Sequence, residues 1–325
     1  MSFHRHTTPR SELAVVAALG LTFSLSVVSF FVATSGGAER ERREGVRGRR
    51  SAAAAASEPG GTVSGHIEEA NVGAFDLVDG IAYRGAGGGV VVFATAKPIA
   101  SAALAGSPCP MTQARSLALL RDASWAEVTL DESGDTPYFA YGTQYAGQSR
   151  AEDPGGHYVS GALDVEGGRA EGRAKHADYG SFTFDLPIHA PAVAEPSQGQ
   201  RFGNRTWANN PRTPTEAAAV AAYQALRRAA LAKDLDALLA AQGFTAAQTA
   251  AVRALPGIDA DLVANADRFL TPGDLSPDDE VQLDHGYAQL AAIGKTSTGA
   301  PFFNTYELAP CGDALVLVGI YLNPQ

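Results

Sequence analysis

The chain has 325 residues, 45% of them apolar and 18% charged, enough for about two ordinary domains with their own cores. Its formal charge of -10 is split: residues 1–50 carry eight Lys/Arg against four Asp/Glu, and residues 51–325 carry 17 against 31. An acidic body argues against a nucleic-acid partner, because phosphate binding needs a basic face. Two cysteines, Cys109 and Cys311, rule out a cysteine-built zinc site.

Residues 1–12 form a short tail. Leu13 to Ala33 then run without a charge, LAVVAALGLTFSLSVVSFFVA. A helix of that length spans roughly 30 Å, the hydrocarbon thickness of a bilayer. Cleaved signal peptides have shorter apolar regions of about 7–15 residues, so the expectation is an uncleaved membrane helix at 13–33. Arg5 and Arg10 precede it, and Arg40, Arg42, Arg43, Arg47, Arg49 and Arg50 follow it. The positive-inside rule taken alone puts the body in the cytoplasm. The cysteines point the other way: each lies in a turn-like stretch, Ser107-Pro108-Cys109-Pro110 and Pro310-Cys311-Gly312-Asp313, which suits one disulfide in an oxidising compartment. Two unpaired thiols are the other reading. The expectation is the exported placement, a single-pass protein of the bacterial cell membrane with its body outside.

Residues 34–61 read as a linker, charged and then alanine-rich, with no aromatic side chain to pack. Residues 62–189 read as a β-rich, sandwich- or barrel-like module. The predicted strands are Thr62–Glu68, Ala74–Val78, Val90–Thr95, Ala126–Leu130, Tyr138–Tyr145, His157–Asp164 and Ser181–Leu186. Met111–Asp122 lacks strand alternation and is predicted as a helix. Residues 190–212, with Pro191, Pro196 and Asn209-Asn210-Pro211, read as a second linker.

Residues 213–325 read as an α+β module. Thr213-Pro214-Thr215-Glu216 is a predicted capping box before the stripe Val220, Tyr223, Leu226 and Ala230. A short helix around Leu235, Leu238 and Leu239 stops at Gly243. Thr245 and Gln248 cap another, and Ile258 to Phe269 form a fourth. Strands follow at His285–Lys295, Phe302–Leu308 and Ala314–Leu322, although Ser276-Pro277-Asp278-Asp279 would also cap a helix.

The segments Ala221-Ala222-Tyr223-Gln224-Ala225-Leu226, Lys233-Asp234-Leu235-Asp236-Ala237-Leu238, Gly286-Tyr287-Ala288-Gln289-Leu290 and Asp313 to Ile320 carry a resemblance to the NTF2-like fold of small exported bacterial proteins. The resemblance covers about a third of the chain. It implies a cone with an apolar pocket between helices and sheet, in a family that includes enzymes, binders and structural modules. General acid or base groups would then line the pocket, and Asp284, His285, Tyr287 and Tyr306 are the candidates there.

Other constellations are explained more simply. His66, His157, His176 and His189 are dispersed, without metal-ligand spacing. Gly85 to Gly89 precedes a strand, has no following lysine and reads as a hairpin loop. Ser64 and Ser160 lack the leading glycine of a nucleophile elbow. Asp131 to Asp135 reads as an acidic turn. Tyr138, Phe139, Tyr141 and Tyr145 are half-buried sheet residues or a contact surface. No cofactor is called for. The expected function is a non-enzymatic, membrane-tethered role binding a protein or small-molecule partner at the cell envelope. The alternative is an NTF2-like pocket enzyme acting on a small apolar molecule.

Overall fold

The computed structural model of the chain describes residues 60–69, 73–85, 89–130, 138–142, 149–152, 159–189, 215–271, 280–284, 287–295 and 301–324. The apolar run Leu13–Ala33, nearly all of the first expected linker, the second linker and His285 lie outside them. Among the described residues no helix is long and apolar enough to cross a membrane. The architecture is mixed α+β.

In the N-terminal part the strands are β1 Thr62–Glu69, β2 Gly73–Leu77, β3 Asp79–Arg84, β4 Val90–Thr95, β5 Trp125–Leu130, β6 Tyr138–Gly142, β7 Ser149–Glu152, β8 Val159–Glu166, β9 Arg169–His176 and β10 Gly180–His189. They form one sheet in the order β2-β1-β10-β3-β4-β5-β6-β7, while β9 also pairs β10 and β8 pairs β9. Neighbours are antiparallel except where Ile188 and His189 of β10 run parallel to Ala82 and Tyr83 of β3. There the sheet doubles over. Val63, Ile67, Ala174, Phe182 and Phe184 from one half share a core with Val90, Val92, Ala126, Val128 and Phe139 from the other.

Strand β4 shows the two-residue period at work. Val90, Val92 and Ala94 enter that core, and Val91 and Phe93 enter a second one on the opposite side. A strand covered on both faces reads as a continuous apolar run, which is why VVVFAT shows no alternation. Two glycines allow the aromatic side chains to lie across neighbouring strands. Gly65 opposes Phe182 and Gly172 opposes Phe184. A Cβ on Gly65 would fall 2.2 Å from that of Phe182, and one on Gly172 would fall 2.6 Å from the Phe184 ring.

Helix α1, Pro110–Leu120, covers the outer face of β3, β4 and β5, and every residue in it is buried. Met111, Ala114, Leu117, Ala118 and Leu120 pack with Ile81, Tyr83, Phe93 and Trp125. The same cluster takes in Leu235, Leu239, Phe244, Val252, Ile258 and Leu262 from the C-terminal part. Its polar groups are satisfied in place: Arg115 is ion-paired with Glu127 of β5 and lies over the Phe93 ring.

The C-terminal part supplies α2 Glu216–Ala232, α3 Leu235–Ala241, α4 Ala246–Arg253 and α5 Ile258–Phe269. A four-stranded meander follows: β11 Glu280–Asp284, β12 Tyr287–Lys295, β13 Pro301–Cys311 and β14 Ala314–Pro324. The cap of α2 is Thr215, whose hydroxyl accepts from the Ala218 amide, so the helix starts later than the capping box at Thr213 implied. Thr245 and Gln248 make the expected reciprocal cap of α4. The strand expected over His285–Lys295 starts at Tyr287, and β11 precedes it in place of a helix. Strands β3, β7 and β9 were not anticipated.

The two parts are sewn together along α1. Strand β14 is an edge, and Gln242 covers it by accepting from the Leu317 amide (2.8 Å) and the Ser116 hydroxyl (2.6 Å). Arg121 is 3% exposed and donates to Pro98 O, Pro256 O and Asp261 Oδ2. Lys97 adds bonds to Arg121 O and Asp261, and Asn265 donates to Leu120 O. All the described residues belong to one compact unit.

Candidate functional site

Of the residues expected to line a pocket, the structure brings Asp284 and Tyr287 together by backbone register, as the pair that closes the β11–β12 hairpin. His285, in the turn between them, is outside the described residues. Tyr306 sits elsewhere, fully buried in the core between α2, α5 and the meander, with Leu226, Phe269, Leu290, Leu308 and Ile320. Its hydroxyl donates to Phe269 O and accepts from Asn304 Nδ2 at 3.3 Å, and its ring lies 4.8 Å from that of Tyr223. Burial raises its pKa well above the usual 10, with the neighbouring Tyr223 adding to the effect; the Asn304 hydrogen bond and Arg227 partly offset it. A phenol held neutral and walled in by aliphatic side chains is suited to anchoring helix α5 to the sheet. It is poorly placed for proton transfer.

The cysteines are joined. Pro110 occupies the first turn of α1, with its fixed φ suited to that position, and this sets Cys109 as the residue before the helix. Cys311 is the last residue of β13, and Gly312, at φ +60°, turns the chain into β14. A disulfide links the two across a sequence separation of 202 residues, with their Cα atoms 5.4 Å apart. Both are buried, and Ala309, Val316 and Val318 pack around them. The backbone of Gly243, at φ +72°, passes close by: a Cβ there would lie 3.6 Å from Cys311 Sγ.

An open groove of about 590 Å³ lies where α3, α4 and the start of α5 meet. Its floor is Phe244, and Ala240, Ala246, Ala250 and Thr249 line its sides. One end is closed by Arg253, which bonds Asp236 of α3 at 2.8 Å and Asp259 of α5 at 2.7 Å. Two carboxylates around one guanidinium leave that end with an excess negative charge. The groove therefore suits a small apolar group, neutral or cationic, and disfavours an anion. Sequence reading had no signal for it, because alanines on a helix surface look like plain helix formers.

The described candidates His66, His176 and His189 do not assemble, and His157 lies outside the described residues. His66 bonds Asp76 at 2.7 Å on an exposed strand face, and His176 stacks on Tyr179 with centroids 4.4 Å apart. Burial lowers the pKa of His189. Among the described residues no group of three or more His, Cys, Asp or Glu is placed to hold a metal ion. Compared with models of known families, with curated proteins and with solved structures, the chain matches none.

Proposed function

We propose that this chain is a membrane-tethered bacterial protein whose body works in an oxidising compartment at the cell envelope, where it binds a partner without catalysing a reaction. The disulfide between Cys109 and Cys311 carries this reading. Such bridges persist where glutathione and thioredoxin do not keep thiols reduced. The uncharged run Leu13–Ala33 supplies the anchor, and the partner site is the groove between α3 and α4. We read the doubled sheet as a β-sandwich module and the helices-then-meander part as an NTF2-like build, on the order of its elements. The pocket-enzyme alternative is disfavoured, since side chains fill the space around Tyr306.

The test is a non-reducing peptide map of protein taken from its native membrane, with thiols alkylated before lysis. A crosslinked Cys109–Cys311 peptide pair is expected. Two alkylated thiols would overturn the exported placement. Filling the groove with Ala250→Trp should abolish partner capture while leaving thermal stability unchanged.

A further inference from the structure

Strand β8 is an unusual edge. Among the described residues it pairs only with β9. It is eight residues long, while the edge strands β2, β7 and β11 have five, four and five, and the longer edge β14 is covered by Gln242. Natural edges are commonly blunted by charge, proline or brevity; VSGALDVE is long, has no lysine or proline, and carries charge only in its second half, at Asp164 and Glu166. Its inner row is Gly161, Leu163 and Val165, with Leu163 half-buried and Val165 39% exposed. Beside them a cleft of about 400 Å³ opens toward the β3–β4 hairpin, lined by Arg84, Gly89 and Val90.

The outer row of the same strand is charge-segregated. Asp164 stands directly opposite Glu171, which stands opposite Asp185. Like charges in register destabilise a sheet. Ala162 and Ser160 stand opposite Arg173 and Lys175. Among the described residues the ion pairs on this face are Arg169–Asp185 and His66–Asp76, and neither includes Arg173 or Lys175. One half of β8 thus presents acids, and the other presents small residues with cations behind them.

We infer that β8 is the seam of a homodimer, in which a second copy of this chain adds its own β8 antiparallel about Leu163. In that register Ala162 faces the second copy's Asp164, and Ser160 faces its Glu166. The cations behind them then complete the pairs. Strands lie about 4.8 Å apart, so Arg173 and the second copy's Asp164 are roughly 10 Å apart at Cα, within reach of their side chains across the short Ala162. Lys175 meets Glu166 in the same way across Ser160. On the inner row Val165 covers Gly161, and Leu163 meets its own copy on the dyad. The interface is isologous, so each contact occurs twice and the association closes at two subunits.

The experiment is sedimentation of the full chain in detergent micelles, with circular dichroism to confirm folding of each variant. The wild type sediments as a dimer. Asp164→Lys and Arg173→Glu each weaken association about tenfold, and the double variant Asp164→Lys/Arg173→Glu restores it. Leu163→Cys yields a covalent dimer when diamide is supplied as oxidant, with the native disulfide intact. A monomer across the accessible concentration range overturns the inference. So does an oligomer indifferent to both charge reversals, which would be assembled through another part of the chain.

Discussion

Removing the crosslink by Cys109→Ala/Cys311→Ala should lower stability by about 3–5 kcal/mol. The size follows from the 202-residue separation of the bridged residues. Chain-closure entropy for a loop of that length amounts to about 5 kcal/mol at 25 °C. Denatured chains are more compact than the ideal model, which trims the figure. Loss of the sulfur atoms from the small cluster with Ala309, Val316 and Val318 adds back about 1 kcal/mol. Guanidinium unfolding of the full chain in micelles measures the change. The denaturant dependence should steepen, because the uncrosslinked chain exposes more surface when unfolded. The melting temperature should fall by on the order of 10 °C. The transition should remain single, since α1 is packed by both halves and neither keeps its core without the other. A loss below about 1 kcal/mol, or separate transitions for the β-rich and C-terminal parts, would refute the reasoning.

Breaking the buried ion pair from one side tests the seam at α1. Glu127→Gln leaves Arg115 buried without its counter-charge and should cost about 3–5 kcal/mol, whereas Arg115→Met/Glu127→Leu should recover most of it; equal losses in the two proteins count against the pairing argument. Tyr306→Phe should cost about 1–3 kcal/mol, by leaving the Phe269 carbonyl without its donor. Because the folded pKa of Tyr306 is raised, unfolded tyrosine loses its proton first, and wild-type stability should decline as pH rises through about 10; the Phe variant should lack that share of the decline in denaturation titrations.

Elements with a local signature were legible. Thr245 and Gln248 announced α4, and LVLVGIY announced β14. Strand β9, RAEGRAKH, was missed because its inward row is Ala170, Gly172, Ala174 and His176: small residues opposite or beside Phe182 and Phe184, then a histidine, with no apolar alternation. Strand β3 was missed for a related reason: Gly80 and Ala82 face one core while Ile81 and Tyr83 face the other, which blurs the period. Asp284 and Tyr287 were read as pocket groups beside an expected strand over His285–Lys295; the register sets them opposite each other at the β11–β12 turn. Tyr306 was assigned to a pocket, and its neighbours fill the space instead. The seam could not be read at all. Gln242, Arg121 and Asp261 act across more than 70 residues of chain, and no local pattern marks a glutamine that will cover a distant strand edge.

The position of α1 sets an order of events during synthesis. The helix is made early, between β4 and β5, yet part of its covering comes from residues beyond 230. Until those residues leave the ribosome, the side of α1 turned away from β3, β4 and β5 has no neighbour, and the shared core stays incomplete. The shared core around α1 is completed only once the C-terminal helices are made, so the early β-rich part carries exposed apolar surface until then.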